Sequence, residues 1–322
     1  MLDGRNAVKR GRWLPGGPSA VPGFCVAAYA DHKPLGQGAV CMGNGKLDAE
    51  RGFLNKWEMY KALAGESIGP CRLPDTVLYR EAALASMLMK YGKVYIKTVS
   101  GWGGHAVSVL EARRGVYRWL RQGQTALRSR NLRLLAKLIS AYYHNQICII
   151  QQAAPLARFQ DRPFDIRVHM QRDVSDEWIY AGELVRLGGT HAIVSNVDIS
   201  RGKVLPMDTV LPSLHLRYGP EQIRWRLQKV GASIANVLNP YRDFRDIGID
   251  IGISHQGQLW LIEVNTDDAQ GAPSYELFAK LPDKQIYEQI KQRDAERNAQ
   301  IVQSILQELF GSEGLGSTDD FQ

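Results

Sequence analysis

Cysteine is scarce in this sequence of 322 residues. The cysteines are Cys25, Cys41, Cys71 and Cys148; no two of them form a CxxC pair, and no histidine stands at a zinc-ligand spacing from them. A disulfide framework and a cysteine-ligated zinc site are therefore not expected. Cys148 lies in the apolar run ICII, where a cysteine usually packs as a small hydrophobe. We expect a protein of a reducing compartment, the cytoplasm.

Long apolar runs are also missing. No stretch approaches the roughly 20 apolar residues that a membrane-spanning helix needs. The N-terminus, MLDGRNAVKRGRWLPGGP, is basic but has no apolar core, so it lacks the main feature of a secretory signal. The sequence therefore predicts neither a membrane span nor a signal peptide.

Neither sign of charge dominates. The sequence has 40 Lys and Arg against 33 Asp and Glu, a net charge of +7, and its 44% hydrophobic content is that of a globular protein. A modest basic excess suits nucleic acid, an anionic surface or a polyphosphate ligand, and equally an ordinary basic soluble protein. No basic block with interleaved aromatic residues stands out, so charge alone does not decide between these partners.

Helical and extended patterns cover most of the chain after residue 50. Residues 1–50 are rich in Gly and Pro, with one predicted strand at 24–29, and residues 311–322 are predicted to be disordered. Apolar periodicity predicts helices at 55–63, 80–92, 130–143, 220–238 and 284–310. Extended runs predict strands at 76–79, 94–99, 105–112, 146–152, 164–172, 177–187, 247–254 and 258–265. Because several later strands follow one another without crossover helices, the second half should be a mainly antiparallel sheet.

Two of the last strands carry oxygen-bearing side chains in otherwise apolar runs. Asp250 lies in IGIDIGI, and Glu263 and Asn265 lie in WLIEVN; the linking SHQGQ has the composition of a hairpin turn. Glu263 and Asn265 are two residues apart and share a strand face, which Asp250 can share from the neighbouring strand. Such an oxygen cluster suits Mg²⁺ bound to phosphates, while a salt-bridged pair at a strand end explains it equally well.

A lysine stands before a glycine-rich loop. Lys97 ends the strand VYIKTV, and GWGGHA follows, with Gly101, Gly103, Gly104 and His105. Lysine can reach a phosphate as a point charge, and glycines let backbone N–H groups approach phosphate oxygens. The loop is not a Walker A motif, since no GK[ST] follows. A plain hairpin turn is the competing interpretation.

A third cluster is cationic. Asp165 and Arg167 alternate on one face of FDIRV, Arg186 ends AGELVR, and Arg201 follows in a loop near Asn196. Arginines near a carboxylate cluster suggest a site that balances polyphosphate charge. Ordinary surface arginines paired with Asp and Glu are the alternative.

Taken in order, these motifs resemble those of the ATP-grasp superfamily. Their sequences are most similar to those of its YheC/YheD-type members. The phrases that carry the resemblance are FLNKWEMYKAL, LPDT, VYIKTVSGWGGHAV, IIQQAAPLARFQDRPFDIRVHMQRD and GIDIGISHQGQLWLIEVN. They cover about residues 50 to 280. Each motif is weak alone, but five in the same order are specific.

The resemblance implies an α+β ATP-grasp fold, with two lobes that clamp ATP. It divides the chain into a reduced Gly/Pro-rich segment (1–50), a first lobe with a glycine-rich lid (51–145), a second lobe with the adenine hinge and metal site (146–283), and a C-terminal helix and tail (284–322). Since the segment before the first motif is short, the resemblance also implies a substrate site that is either reduced or completed by a second subunit of a homo-oligomer.

The resemblance also implies roles for the individual residues. The catalytic set, which would face the γ-phosphate or the reacting carboxylate, comprises Arg167, Arg186, Arg201 and Asn196. The nucleotide-binding set comprises Lys56, Lys97, Gly101, Gly103, Gly104, His105, Gln151, Gln152, Ala153, Ala154 and Asp165. The Mg²⁺ ligands would be Asp250, Glu263 and Asn265. Trp102 in the lid is expected to close over bound nucleotide, and Asp267 and Asp268 favour an amine-bearing acceptor.

The activity that the resemblance implies is an ATP-dependent carboxylate–amine ligase. ATP would phosphorylate a small-molecule or peptide carboxylate, and an amine would attack the acyl phosphate to form an amide or peptide bond. Two alternatives stay open: a nucleotide-binding structural or regulatory protein of spore-coat type without turnover, and an ATP-grasp kinase. A nucleic-acid partner is not expected, because the ATP site that the resemblance implies explains the arginines better.

Overall fold

A computed structural model describes residues 54–100, 106–241, 243–266 and 274–310. These residues belong to one compact unit, Gly43–Gln322. The predicted N-terminal strand at 24–29, the glycine loop with Gly101, Gly103, Gly104 and His105, the acidic residues Asp267 and Asp268, and the tail lie outside the described ranges.

The first half of the described chain builds a six-stranded antiparallel sheet in the order β2-β7-β3-β4-β5-β6. The elements up to its last strand are α1 (Lys56–Leu63), β1 (Cys71–Arg72), β2 (Thr76–Leu78), α2 (Glu81–Tyr91), β3 (Lys93–Thr98), β4 (Val107–Arg113), β5 (Val116–Arg121), β6 (Leu127–Ser129), α3 (Leu132–Tyr142) and β7 (Cys148–Gln152).

Helices α2 and α3 pack with this sheet around one apolar core. Leu84 of α2 and Ile139 of α3 are fully buried with Ile96, Leu110 and Trp119 of the strands. Helix α2 ends at Gly92, whose φ of 68° is left-handed and whose N–H closes the helix on the Leu88 carbonyl. That turn directs the chain straight into β3.

The second half builds a seven-stranded sheet in the order β1-β13-β12-β9-β10-β11, with β8 paired to β9. Only the β1–β13 pair is parallel among the described strands. The elements are β8 (Arg158–Phe159), β9 (Arg162–Arg172), β10 (Trp178–Leu187), α4 (Val197–Ser200), β11 (Lys203–Leu205), α5 (Met207–Val210), a 3-10 helix (Leu211–Leu214), α6 (Pro220–Leu238), β12 (Asp246–Ile253), β13 (Leu259–Thr266), a 3-10 helix (Ser274–Lys280) and α7 (Gln285–Phe310).

Helices cover this second sheet. Helix α6 and part of α1 bury Leu227, Ile234 and Met59 against strand residues such as Ile249. A smaller core joins Leu184 of β10 to the second 3-10 helix and to α7. Among the described helices, α6 and α7 are the long ones, and neither has an 18-residue window apolar enough to cross a bilayer.

The structure confirms the predicted helices, most of the predicted strands and the α+β class. The predicted β3–β4 hairpin is present, with Lys97 opposite Val107, and β12 and β13 form the predicted hairpin around Gly257, whose φ is +77°. Strands β5 and β6, at 116–129, were not predicted. They are short and arginines interrupt their apolar residues, so the apolar alternation that marks a strand is weak there.

Candidate functional site

A cleft of about 980 Å³ lies between the two sheets and collects most of the side chains that the sequence singled out. Its walls include Lys56, Lys97, Gln151, Gln152, Ala154, Asp165, Arg167, Arg186, Asn196, Asp250, Glu263 and Asn265. Ala153 and Arg201 are not in this lining; Arg201 is an exposed residue in a left-handed conformation at the end of α4. The remaining predicted residues are those of the glycine loop, outside the described ranges.

A β-bulge in β13 aims the predicted metal ligands into the cleft. Asp250 is paired with Glu263, but the next pair is Ile251 with Leu261, so Ile262 is the extra residue. The bulge changes which residues share a face. Leu261 belongs to the buried core and also borders the cleft, and Glu263 and Asn265 contribute polar side chains to the cleft lining. The amide nitrogen of Asn265 lies 3.4 Å from the Asp250 carboxylate.

Four charged side chains form a deep network at the base of the cleft. Arg167 stands opposite Asp250 in the β9–β12 register and donates a hydrogen bond to it. Arg186 reaches the same carboxylate at 2.6 Å and holds Asp165 through two hydrogen bonds of 2.7 Å. The Ser195 hydroxyl also donates to Asp165. All four charged residues are buried, so each charge is compensated within the protein.

The two carboxylates of the deep network differ in their proton affinity. Burial opposes ionisation of Asp250, yet Arg167 and Arg186 hold its pKa below the ordinary value. Burial raises the pKa of Asp165 despite Arg186, and the Asp250 charge adds to the rise. Asp250 is therefore the firmly ionised member of the pair.

Glu263 lies further out and pairs with Lys56. The Lys56 Nζ to Glu263 Oε1 distance is 3.0 Å, and the Glu263 side chain is 31% exposed against 3% for Asp250. Burial would raise the pKa of Glu263, but Lys56 and Lys97 hold it below its ordinary value. Lys56 begins α1, just after the cap residue Asn55, whose side chain accepts from the N–H groups of Trp57 and Glu58.

Lys97 is a buried lysine on the opposite wall. Its Nζ donates to Gln151 Oε1 at 2.7 Å, and the Gln151 amide nitrogen donates to the Thr76 hydroxyl at 3.2 Å. Burial lowers the pKa of Lys97 to about 8, which the nearby Glu263 charge offsets in part. A buried ammonium with a neutral partner is short of negative charge, and an anionic ligand would supply it.

The end of β7 borders the same wall. The N–H of Gln152 donates to the Asp75 carbonyl, and the N–H of Ala153 donates to the Lys93 carbonyl. Within the described ranges the Ala154 N–H makes no hydrogen bond, and Ala154 lines the cleft. The Ala154 N–H is therefore a candidate backbone donor for a ligand at the point where the chain leaves the first sheet.

The cleft also contains residues that sequence reasoning missed. Asp246 lines its far end and is hydrogen-bonded to the buried His169 at 2.8 Å. The sequence pattern could have indicated Asp246, because this residue precedes Asp250 by four positions on one strand and therefore shares its face. Asn196, which was predicted, caps α4 by accepting from the N–H groups of Asp198 and Ile199.

The candidate metal-binding atoms in the cleft are oxygen atoms. Among the described residues, no group of three or more His, Cys, Asp or Glu side chains is arranged to hold a metal ion. The candidate set is instead two carboxylates and one side-chain amide, Asp250, Glu263 and Asn265. Both cysteines in the described ranges, Cys71 and Cys148, are free thiols outside the cleft lining.

Comparisons with known proteins agree with the sequence motifs. The endospore coat-associated proteins YheD and YheC of Bacillus subtilis (strain 168) are 25% and 24% identical over 228 and 229 residues. These matches cover 66% and 67% of this chain but only 48% and 60% of the relatives, so the chain spans about half the length of the curated relatives it matches.

Solved structures of carboxyaminoimidazole ribonucleotide synthetases are also similar in part. They include the ADP complex of PurK, an N5-carboxyaminoimidazole ribonucleotide synthetase (14% identity, TM-score 0.39), and the ATP complex of carboxyaminoimidazole ribonucleotide synthase from Aspergillus clavatus (12% identity, TM-score 0.43). Each match covers 69% of this chain and 46% of the other. The family is identified instead by a model of YheC/D-like ATP-grasp proteins, which matches residues 48–297. Because that match spans most of the chain, the protein belongs to the YheC/D-like ATP-grasp family.

Proposed function

We propose that this protein is an ATP-dependent carboxylate–amine ligase. The observation that carries the proposal is the single cleft in which Lys56 and Lys97 face Glu263 and Asn265, with the deep network behind them. Family membership favours ATP as the substrate, and the cleft volume lies at the upper end of the range for ligand sites. The carboxylate and the amine are proposed as classes, a small molecule or peptide for each.

The adenine would bind beside β7. Apolar side chains line the cleft around this strand, among them Leu73, Ile149, Leu156 and Leu261. The N–H of Ala154 would donate to a ring nitrogen, because the N–H groups of Gln152 and Ala153 are already used within the first sheet. Apolar walls with one or two backbone polar groups are the usual composition of such a site.

The phosphates would lie against Lys97 and Lys56. The buried Lys97 ammonium has an amide as its hydrogen-bond partner, and phosphate oxygens would stabilise its charge. Phosphoryl transfer depends mainly on positioning and on cations that neutralise spread charge, so no serine or cysteine nucleophile is needed.

The oxygen donors fit Mg²⁺, the metal that the family implies. Glu263 and Asn265 line the cleft directly, and the Asp250 carboxylate adjoins Asn265. These three residues would hold the ion, which would neutralise phosphate charge. Because Glu263 pairs with Lys56 in the structure, that pair would have to open or share the carboxylate.

The chemistry would proceed in two steps. A carboxylate oxygen of the substrate would attack the γ-phosphorus and release ADP. The amine would then attack the acyl carbon and release inorganic phosphate, leaving an amide. Arg167 and Arg186 would keep Asp250 ionised at the base of the site, so we propose them as residues that act through that carboxylate.

A nucleotide-binding protein without turnover is the second candidate. The observation that favours it is that Asp250 and Glu263 are already charge-paired within the protein, by arginines and by Lys56. Both curated relatives are named endospore coat-associated proteins, and association with a coat belongs to this alternative.

Product analysis tests the proposal. Purified protein is incubated with Mg-ATP and pools of amino acids and short peptides, ADP release is followed, and products are identified by mass spectrometry. A ligase gives ADP, phosphate and a product equal to two substrates less water, and Glu263→Gln abolishes it. A phosphorylated substrate alone would indicate a kinase. A melting temperature raised by Mg-ATP without any product would support the second candidate.

A further inference from the structure

A second pocket of about 320 Å³ lies beside the cleft, and Pro155 in its wall stands between Ala154 and Leu156 of the cleft lining. It forms where the β12–β13 turn, the start of α6 and β1 meet, and its lining shares no residue with that of the cleft. Three arginines contribute to the wall, Arg72, Arg217 and Arg226, together with Tyr218 and Trp260. We call it the arginine pocket; none of its lining residues is Asp or Glu.

The three guanidinium groups are held by neutral partners. Arg226 donates to the Gly257 carbonyl at 2.8 Å and lies 4.4 Å from the centre of the Tyr218 ring. Arg217 is 5.7 Å from the same ring, and Arg72 is 5.7 Å from the Trp260 ring. In the part of the chain that the structure describes, none of the three forms a salt bridge. Like charges that converge without a counter-charge repel one another, and a bound anion removes that cost.

Close packing of the β12–β13 turn against Tyr218 forms part of the arginine pocket. Gly257 has a φ of +77°, and a Cβ at that position would lie 2.8 Å from the Tyr218 ring, so the β12–β13 turn fits closely against this wall. Trp260 is buried, and its indole N–H has no hydrogen-bond partner among the described residues. The Trp260 ring contributes to the pocket as a wall, against which Arg72 lies.

We propose that the arginine pocket binds a small phosphate-bearing ligand with at least two negative charges. Guanidinium forks match the geometry of phosphate oxygens, an aromatic ring lies beside each of the three arginines, and the volume admits a ligand of modest size. The pocket is a site separate from the cleft, and the proposal does not depend on the ligase assignment.

Calorimetric titration of the full chain with inorganic pyrophosphate, without Mg²⁺ and at low salt, tests the proposal. The pocket variant is Arg72→Gln/Arg217→Gln, two exposed residues whose replacement leaves the Arg226 hydrogen bonds intact. The matched control in the cleft is Lys56→Gln/Lys97→Gln, which removes the same charge. A second control, Arg128→Gln/Arg133→Gln, removes that charge from the exposed surface. Circular dichroism checks the fold of each.

The wild type can bind pyrophosphate in the pocket and against the cleft lysines, so up to two binding events are expected. We expect the pocket variant to weaken one of them about tenfold or more and to keep the cleft event, because charge-assisted hydrogen bonds are the strong ones. At least one binding event should survive in the cleft variant and in the surface variant. Malonate, a dicarboxylate, should bind the wild type more weakly than pyrophosphate. No binding by the wild type, equal losses in all variants, loss in the cleft variant alone, or tighter binding of malonate would each overturn the proposal.

Discussion

The base and the outer part of the cleft carry the same kinds of charge in different surroundings. At the base, Asp165 and Asp250 are locked by Arg167 and Arg186, and all are buried. Further out, Glu263 is paired with Lys56 and is partly exposed. Buried pairs cannot separate without leaving a charge in a low-dielectric interior, whereas outer pairs exchange partners at small cost. The base is therefore built to hold its shape, and the outer charges are available to a ligand.

Breaking the deep network should produce the largest effect on stability. Asp250→Ala removes the carboxylate shared by Arg167 and Arg186, and we expect the free energy of unfolding to fall by about 3–5 kcal/mol. Urea denaturation measures it. Asp208→Ala is the control, an exposed carboxylate paired with Arg224, with an expected loss below about 1 kcal/mol. Equal losses of unfolding free energy in the two variants would show that the buried ion pairs stabilise the fold no more than a surface pair does.

The burial of Lys97 should make the free energy of unfolding depend on pH. Its pKa of about 8 in the folded protein lies below the unfolded value of 10.5, so the folded state binds fewer protons between these values. The wild type therefore gains stability from this group as pH rises from about 8 to 10.5 and loses it as pH falls from 10.5 to about 8. Lys97→Met has no titrating group at this position. The difference in free energy of unfolding, variant minus wild type, should therefore fall by about 2–3 kcal/mol as pH rises over that range.

Urea denaturation of wild type and Lys97→Met at several pH values measures this difference, and groups common to both proteins cancel. Lys61→Met, an exposed lysine paired with Glu58, serves as the control and should show a nearly constant difference. A flat difference for Lys97→Met as well would mean that Lys97 titrates like a surface lysine.

Substitution of Glu263 should abolish activity while changing stability little. Glu263→Gln removes the charge but keeps an oxygen near Lys56, so the free energy of unfolding should change by less than about 1 kcal/mol. ADP release should nevertheless be lost, because we propose this carboxylate as a Mg²⁺ ligand. Paired measurements of unfolding and ADP release on one preparation decide the matter. Retained turnover would remove Glu263 from the proposed metal site.

Arg201 should give the smallest effect. It was singled out with Arg167 and Arg186, but it is exposed and lies outside the cleft lining. Arg201→Ala should change the free energy of unfolding by less than about 0.5 kcal/mol and leave ATP affinity within about twofold. A melting curve with and without Mg-ATP measures both. A large loss of ATP affinity would restore Arg201 to the site that the resemblance implied.

The sequence by itself determined the local structure and the family. Periodicity located the main helices and strands, because alternate burial is a property of neighbouring residues. It also placed Glu263 and Asn265 on one face, and the order of the motifs identified the ATP-grasp family, which the family match bears out. Short or polar strands such as β5 and β6 escaped this reasoning, since they carry little apolar contrast.

Only the tertiary structure decided which charges meet. Arg167 pairs with Asp250, 83 residues away, because β9 lies beside β12 in one particular register. Sequence reasoning had assigned that arginine to a ligand, since local spacing says nothing about the partner across a sheet. The bulge at Ile262 and the convergence of Arg72, Arg217 and Arg226 have the same origin. Strand register and packing are set by the whole core, so the site's electrostatics emerge only once distant segments are brought together.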